Sequence, residues 1–145
     1  MNKVILMGRL TKDPEVRYSQ SAQPLAIARY TLAVNRRFKR EGEPDADFIN
    51  IVSFGKSGEF AEKYFKKGQQ VCIVGRLQVR SYDDANGTRK WMTEVIAEEQ
   101  HFAESKTSFE KRMAMEPQVH VPAPENNNTD GFVPIDESFD DDLPF

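Results

Sequence analysis

Between Asp47 and Lys56 the chain reads Asp-Phe-Ile-Asn-Ile-Val-Ser-Phe-Gly-Lys, with apolar residues on both parities of a period-2 alternation. As a strand, Ile49 and Ile51 point to one side while Phe48, Asn50, Val52 and Phe54 point to the other. A strand with two apolar sides does not suit a sheet with one face in water. Either it is buried on both faces, or one face builds a core and the other offers rings to a ligand. On this stretch alone, burial on both faces is the simpler reading. The case for a ligand is Asn50 between the two rings and Lys56 beyond them, an arrangement suited to stacking on unpaired bases.

The rest of the chain supplies partners for this strand. Asn2 to Leu10 is an apolar run of strand length in which Gly8 marks a bulge or a close backbone approach. Asp13-Pro14 and Ser19 to Pro24 are turn and loop chemistry, with Val16-Arg17-Tyr18 as a short continuation of strand. From Leu25 to Val34, Ala28, Tyr30, Leu32 and Val34 alternate with Ile27, Arg29, Thr31 and Ala33, giving a second strand. After the third strand, Ser57 offers an N-cap and Gly68 a C-terminal stop. Phe60, Ala61, Tyr64 and Phe65 share one helical face, and their spacing reads as packing. Gln70 to Arg80 alternates again, with Val71, Ile73, Gly75, Leu77 and Val79 inward. Asn86-Gly87 signals a hairpin, and Arg89 to Ala97 returns as the last strand. The expected fold is all-β: an OB-fold, a five-stranded Greek-key barrel with one short helix between strands 3 and 4, plus a disordered acidic C-terminal tail. That barrel is a platform for oligonucleotides and oligosaccharides, and the fold alone does not choose between them.

Charge divides the chain. Residues 1–112 hold all 20 Lys and Arg against 15 Asp and Glu, a balance of +5, while residues 113–145 hold 8 acids and no Lys or Arg, so the total is −3. A mildly basic domain therefore carries an acidic tail. His101 to Glu116 either continues as a short helix or frays. Beyond it, Pro117, Pro122, Pro124 and Asn126 to Asn128 with one-sign charge predict disorder. Phe139, Leu143 and Phe145 among acids are more than a solubilising tail requires. The boundaries read as a domain over 1–105, a disordered linker over 106–139 and a partner-binding tip over 140–145.

The single Cys72 allows no internal disulfide and reads as a buried, reduced thiol, which points to the cytoplasm. Val4 to Met7 is too short for a signal-peptide core, and no window approaches a membrane span. His101 and His120 lack companions at ligand spacing, and no nucleophile–base set stands out. The expectation is a protein without metal, cofactor or enzymatic activity.

What favours nucleic acid over sugar is the repeated pairing of a ring with cations: Phe38 with Arg36, Arg37, Lys39 and Arg40, Phe54 with Lys56, Tyr82 with Arg80, and Trp91 with Lys90. The expected base-stacking set is Phe38, Phe48, Phe54, Tyr82 and Trp91. The expected phosphate contacts are Arg36, Arg37, Lys39, Lys56, Arg76, Arg80 and Lys90.

Met1 to Leu10, Asp13-Pro14-Glu15-Val16-Arg17-Tyr18, Val52 to Lys56, Lys66-Lys67-Gly68 and the acidic Leu-Pro-Phe end together resemble the bacterial single-stranded DNA-binding protein family. The resemblance spans about residues 1–105 and again the last six. It implies a nucleoid-associated homotetramer that binds single-stranded DNA without sequence preference. It further implies that the tip, Asp140, Asp141, Asp142, Leu143, Pro144 and Phe145, recruits replication, recombination and repair proteins. The family's stacking aromatics fall at Phe38, Phe48, Phe54 and Tyr82; the best-studied members place Trp at three of these positions, where this chain has Phe38, Phe48 and Tyr82. An RNA-binding OB module would share the rings and cations but has no use for the acidic end, and a primosomal OB protein related to the family would lack that end.

Overall fold

The computed structural model describes residues 1–115, which form β1 (Val4–Leu10), β2 (Glu15–Tyr18), β3 (Ala26–Asn35), β4 (Ala46–Phe54), α1 (Lys56–Tyr64), β5 (Gln70–Asp83), β6 (Arg89–Phe102) and α2 (Lys106–Met115). The sheet runs β1-β5-β6-β4-β3-β2, and a further pairing of Arg9 with Ala33 and Leu10 with Leu32 joins β1 to β3. That pairing closes β1, β3, β4, β6 and β5 into a barrel, with β2 attached outside along β3. Strands β4 and β6 run parallel at Ile51–Val95 and Val52–Ile96. This is the expected OB-fold, with α1 between the third and fourth barrel strands.

The interior follows the alternation. On β3, Ala26, Ala28, Tyr30 and Leu32 are all at most 1% exposed. Ala28, Tyr30 and Leu32 meet Leu10, Ile51, Val71, Ile73 and Val95 from the other barrel strands. The Tyr30 hydroxyl, buried with its ring, donates to Gln100 Oε1 at 2.6 Å, and Gln100 Nε2 donates to the Ser57 carbonyl at 2.7 Å, so one polar chain ties β3, β6 and α1 together. Burial pushes the Tyr30 phenol well above its ordinary pKa. Closure depends on two glycines. A Cβ on Gly75 would lie 2.1 Å from the Ile96 carbonyl oxygen, and one on Gly8 would lie 2.7 Å from that of Ala33. Of the two alternatives at Gly8, the close approach is present and the bulge is not, while a register shift falls between Val74 and Gly75.

Several details depart from the sequence reading. Ser57 does not cap α1: Gly55, at φ +59°, holds the cap position with no side-chain hydrogen bond, and its N–H donates to the Ala26 carbonyl at 2.8 Å. The helix ends at Tyr64, before Gly68, because Phe65 leaves it in an extended conformation to bury its ring edge-on against Tyr30 at 5.6 Å. Gly68 instead serves the next turn, donating its N–H to the Leu10 carbonyl. Tyr64, read as core, is 53% exposed.

Strands β5 and β6 each span 14 residues, longer than the barrel can cover, so their far halves form a hairpin arm. Leu77 and Val79, expected inside, are therefore 43% and 52% exposed. The first residues of the expected disordered linker are helical as α2. Its Arg112 donates to Glu104 Oε1 at 3.0 Å and to the Gly68 carbonyl at 2.7 Å. The rest of that linker and the tip Asp140 to Phe145 lie outside the described residues. No helix among the described residues is long and apolar enough to cross a membrane.

Candidate nucleic-acid interface

The antiparallel register of β3 and β4 lays out the outer face rung by rung: Ile27 opposite Phe54, Arg29 opposite Val52, Thr31 opposite Asn50, and Ala33 opposite Phe48. Phe48 and Phe54 are 68% and 42% exposed, while Ile51 between them is 1% exposed. One face is thus core, and the other offers the two rings at its ends with Val52 buried at 2% between them. Six residues of strand separate the rings by roughly 20 Å, too far apart for both to stack on one base.

Two depressions extend this face. One is lined by Arg29, Thr31, Asn50, Val52, Met92 and Glu94, and the next by Arg29, Arg80, Ser81, Tyr82 and Met92. Tyr82 therefore belongs to the same surface as Asn50, and by alternation to that of Phe48 and Phe54. Arg29 stands where the barrel face meets the arm. The expected phosphate contacts omitted it, although it occupies an outward position in the alternation of the second strand. Glu94 was missed as well: it is only 4% exposed and accepts from Arg80 at 2.8 Å.

Phe38 lies in the loop between β3 and β4, 78% exposed, with the Arg37 guanidinium carbon 5.8 Å from its ring centroid. Arg36 anchors this loop. Its Nε and Nη2 donate to Asp47 Oδ1 at 2.9 and 2.7 Å, its backbone N–H donates to the Asp45 carbonyl at 2.9 Å, and Glu43 lies 3.3 Å from Nη1. The hydrogen bond to Asp47 also raises the Arg36 pKa.

The expected cations accordingly divide. Arg36, Lys39, Arg80 and Lys90 are each paired, with Asp47, Asp45, Glu94 and Asp84. Arg37, Lys56 and Arg76, with Arg29, have no carboxylate within ion-pair distance among the described residues. An anion meeting this second group would displace no acid among the described residues.

Trp91 does not join the other rings. The pairings of Tyr82 with Lys90 and of Ser81 with Trp91 are adjacent rungs, so the two aromatics point to opposite faces of the arm. Trp91, 69% exposed, shares its face with Leu77 and Val79. The tip of the arm is fixed by Asp84, whose Oδ1 accepts from the N–H groups of Asn86 and Thr88, both at 2.9 Å. Gly87 there takes φ +74°, as the Asn-Gly signal requires.

Residues 1–103 match the model of the single-strand binding protein family. Single-stranded DNA-binding protein 3 of Clostridium acetobutylicum is 44% identical over 151 aligned residues, covering 100% of both chains. Single-stranded DNA-binding protein 2 of the same organism is 53% identical over 104 residues, covering 72% of this chain and 77% of the relative. Single-stranded DNA-binding protein 1 of Staphylococcus aureus is 41% identical over 158 aligned residues, covering 100% of this chain and 99% of the relative.

Proposed function

Because the chain belongs to the single-strand binding protein family, which is not a family of enzymes, we propose that it binds single-stranded DNA without sequence preference and protects it during replication, recombination and repair. The observation that carries this reading is the pair Phe48 and Phe54, both exposed on one face of β4 although a strand so apolar is otherwise buried on both sides. Bases stack on Phe38, Phe48, Phe54 and Tyr82. Arg29, Arg37, Lys56 and Arg76 take phosphates. Stacking on an aromatic ring is worth about 1–3 kcal/mol per base and tolerates any sequence, since every base has a π-face. Arg36 and Arg80 act by holding the loop and the arm in place.

The same reading extends to assembly as a homotetramer. The stretch Val4 to Gly8 pairs with β5 on one side only, because β1 meets β3 just at Arg9 and Leu10. Ile5 and Met7 are 69% and 57% exposed along that stretch. An unpaired strand edge bearing apolar side chains suits pairing with a second copy. Partner recruitment is assigned to Asp140 to Phe145, where acidic residues precede Leu143 and Phe145.

The test is anisotropy of labelled oligo-dT against mixed-sequence DNA, duplex and RNA, across a salt series. Binding that prefers unpaired DNA, ignores its sequence and weakens with salt is expected. Preference for duplex or for RNA sinks the proposal.

A further inference from the structure

A second cluster of rings and cations lies at the opposite end of α1 from Phe54 and Lys56. Tyr64 and Phe102 are 53% and 49% exposed, and they line one groove with Phe109 of α2 and the lysines Lys63, Lys66 and Lys106. The inner edges of the first two rings are packed: Phe60 lies 4.9 Å from Tyr64 and 5.8 Å from Phe102, centroid to centroid. Their outer surfaces have no such cover among the described residues. Large exposed rings side by side mark a contact surface.

The acids of this groove are already engaged. Glu104 accepts from the Gln70 N–H at 2.8 Å and from Arg112 at 3.0 Å, with Arg9 at 3.5 Å, and Glu110 stands 3.9 Å from Lys106. Lys63 and Lys66 have no carboxylate within ion-pair distance among the described residues. The groove therefore joins apolar π-surface to unspent positive charge, which is the pairing that defines the surface on β4.

We propose that this groove, built where α2 packs on the Gly68 turn that follows α1, is a second single-stranded nucleic-acid contact that takes the strand as it continues past Phe54 and Lys56. This rests on the reading of β4 as the primary track. Continuity favours it: α1 begins at Lys56 and ends at Tyr64, a span of about 12 Å, so a strand leaving Phe54 reaches the groove along one short helix. Stacked bases occupy Tyr64 and Phe102, and Lys63 and Lys66 meet phosphates. A role for α2 follows, since its Phe109 walls the groove and its Arg112 keeps Glu104 neutralised.

The test compares two oligo-dT lengths. One is about 8 nucleotides, within the reach of a single OB-fold, and the other about 40. In the full chain, Lys63→Ala/Tyr64→Ala/Lys66→Ala changes three exposed side chains. Affinity for the short oligomer is expected to stay within about twofold of wild type. Affinity for the long one falls about tenfold or more, the loss of one stacked base, and its salt slope drops by about 1.4, two phosphates' worth. Lys63→Glu/Lys66→Glu, which keeps every ring, should weaken the long oligomer in the same direction. Long-oligomer binding equal to wild type in both variants overturns the proposal. So does unchanged DNA binding with lost affinity for a synthetic Asp-Asp-Asp-Leu-Pro-Phe peptide, which would make the groove an acidic-peptide site. Failure of the primary track looks different: Phe48→Ala would then bind the short oligomer as wild type does.

Discussion

Tyr82 and Trp91 sit on adjacent rungs of one hairpin and face opposite ways, Tyr82 paired with Lys90 and Trp91 with Ser81. The only tryptophan in the chain is thereby removed from the surface that carries Phe48, Phe54 and Arg29. Tyr82→Ala should weaken oligo-dT binding about fivefold or more, the low end of a stacked base. Trp91→Ala should leave it within about twofold. Equilibrium titration of both variants checks this, and a larger loss at Trp91 than at Tyr82 would contradict the assignment by face.

Substitutions at Arg29 and Arg36 separate the proposed phosphate contact from loop anchoring. Arg29→Ala should reduce the salt slope of binding by about 0.7, one phosphate on a single strand. Arg36→Ala should leave the slope within error and instead speed amide exchange between Arg37 and Asp45, because it removes the hydrogen bonds to Asp47. Its cost in stability is small, about 1 kcal/mol or less, as for most surface ion pairs.

These two arginines also show where sequence reasoning stops. Spacing alone exposed the two-sidedness of β4 and the helix between the third and fourth barrel strands, and it narrowed Gly8 to a bulge or a close approach. The outward position of Arg29 was present in the alternation of the second strand. What alternation does not carry is which carboxylate folds back onto which cation. Arg36, Lys39, Arg80 and Lys90 looked free because Asp47, Asp45, Glu94 and Asp84 meet them only through loop closure or strand pairing. The inward set on β5 was right through Gly75 and wrong at Leu77 and Val79, because period-2 patterning says nothing of where a barrel ends and a free arm begins.

Barrel closure should be intolerant at Gly75. Gly75→Ala places a methyl carbon 2.1 Å from the Ile96 carbonyl oxygen, on backbone that belongs to the β5–β6 ladder. A loss of about 3 kcal/mol or more is expected, read by urea denaturation. Gly42→Ala, with nothing within 4 Å of the added Cβ, should cost far less despite its positive φ.

The docking of α2 should depend on pH. Burial alone would raise the Glu104 carboxyl, but the Gln70 N–H, Arg112 and Arg9 together hold it below its ordinary value. A carboxylate depressed in the folded state stabilises fully above its unfolded pKa, about 4.3, and that contribution is lost as pH falls through the folded value. Helix α2 should therefore stay docked at neutral pH and loosen only below about pH 4. In Glu104→Gln it should be loose at every pH. Amide exchange across Lys106 to Met115 reads this, and protection independent of both pH and the substitution would contradict it.

The two faces of β4 decide the account. Phe48 is 68% exposed, so its ring contributes little to the core, and Phe48→Ala should lower oligo-dT affinity about fivefold or more while the melting temperature stays near wild type. Ile51→Ala, at 1% exposure, should do the reverse by costing about 2–5 kcal/mol of stability. Titration and thermal melting of Phe48→Ala together are the most direct measurement. Weakened binding with an unchanged melt is the predicted result, and unchanged binding with a melt lowered as in Ile51→Ala would return Phe48 to the core and contradict the account.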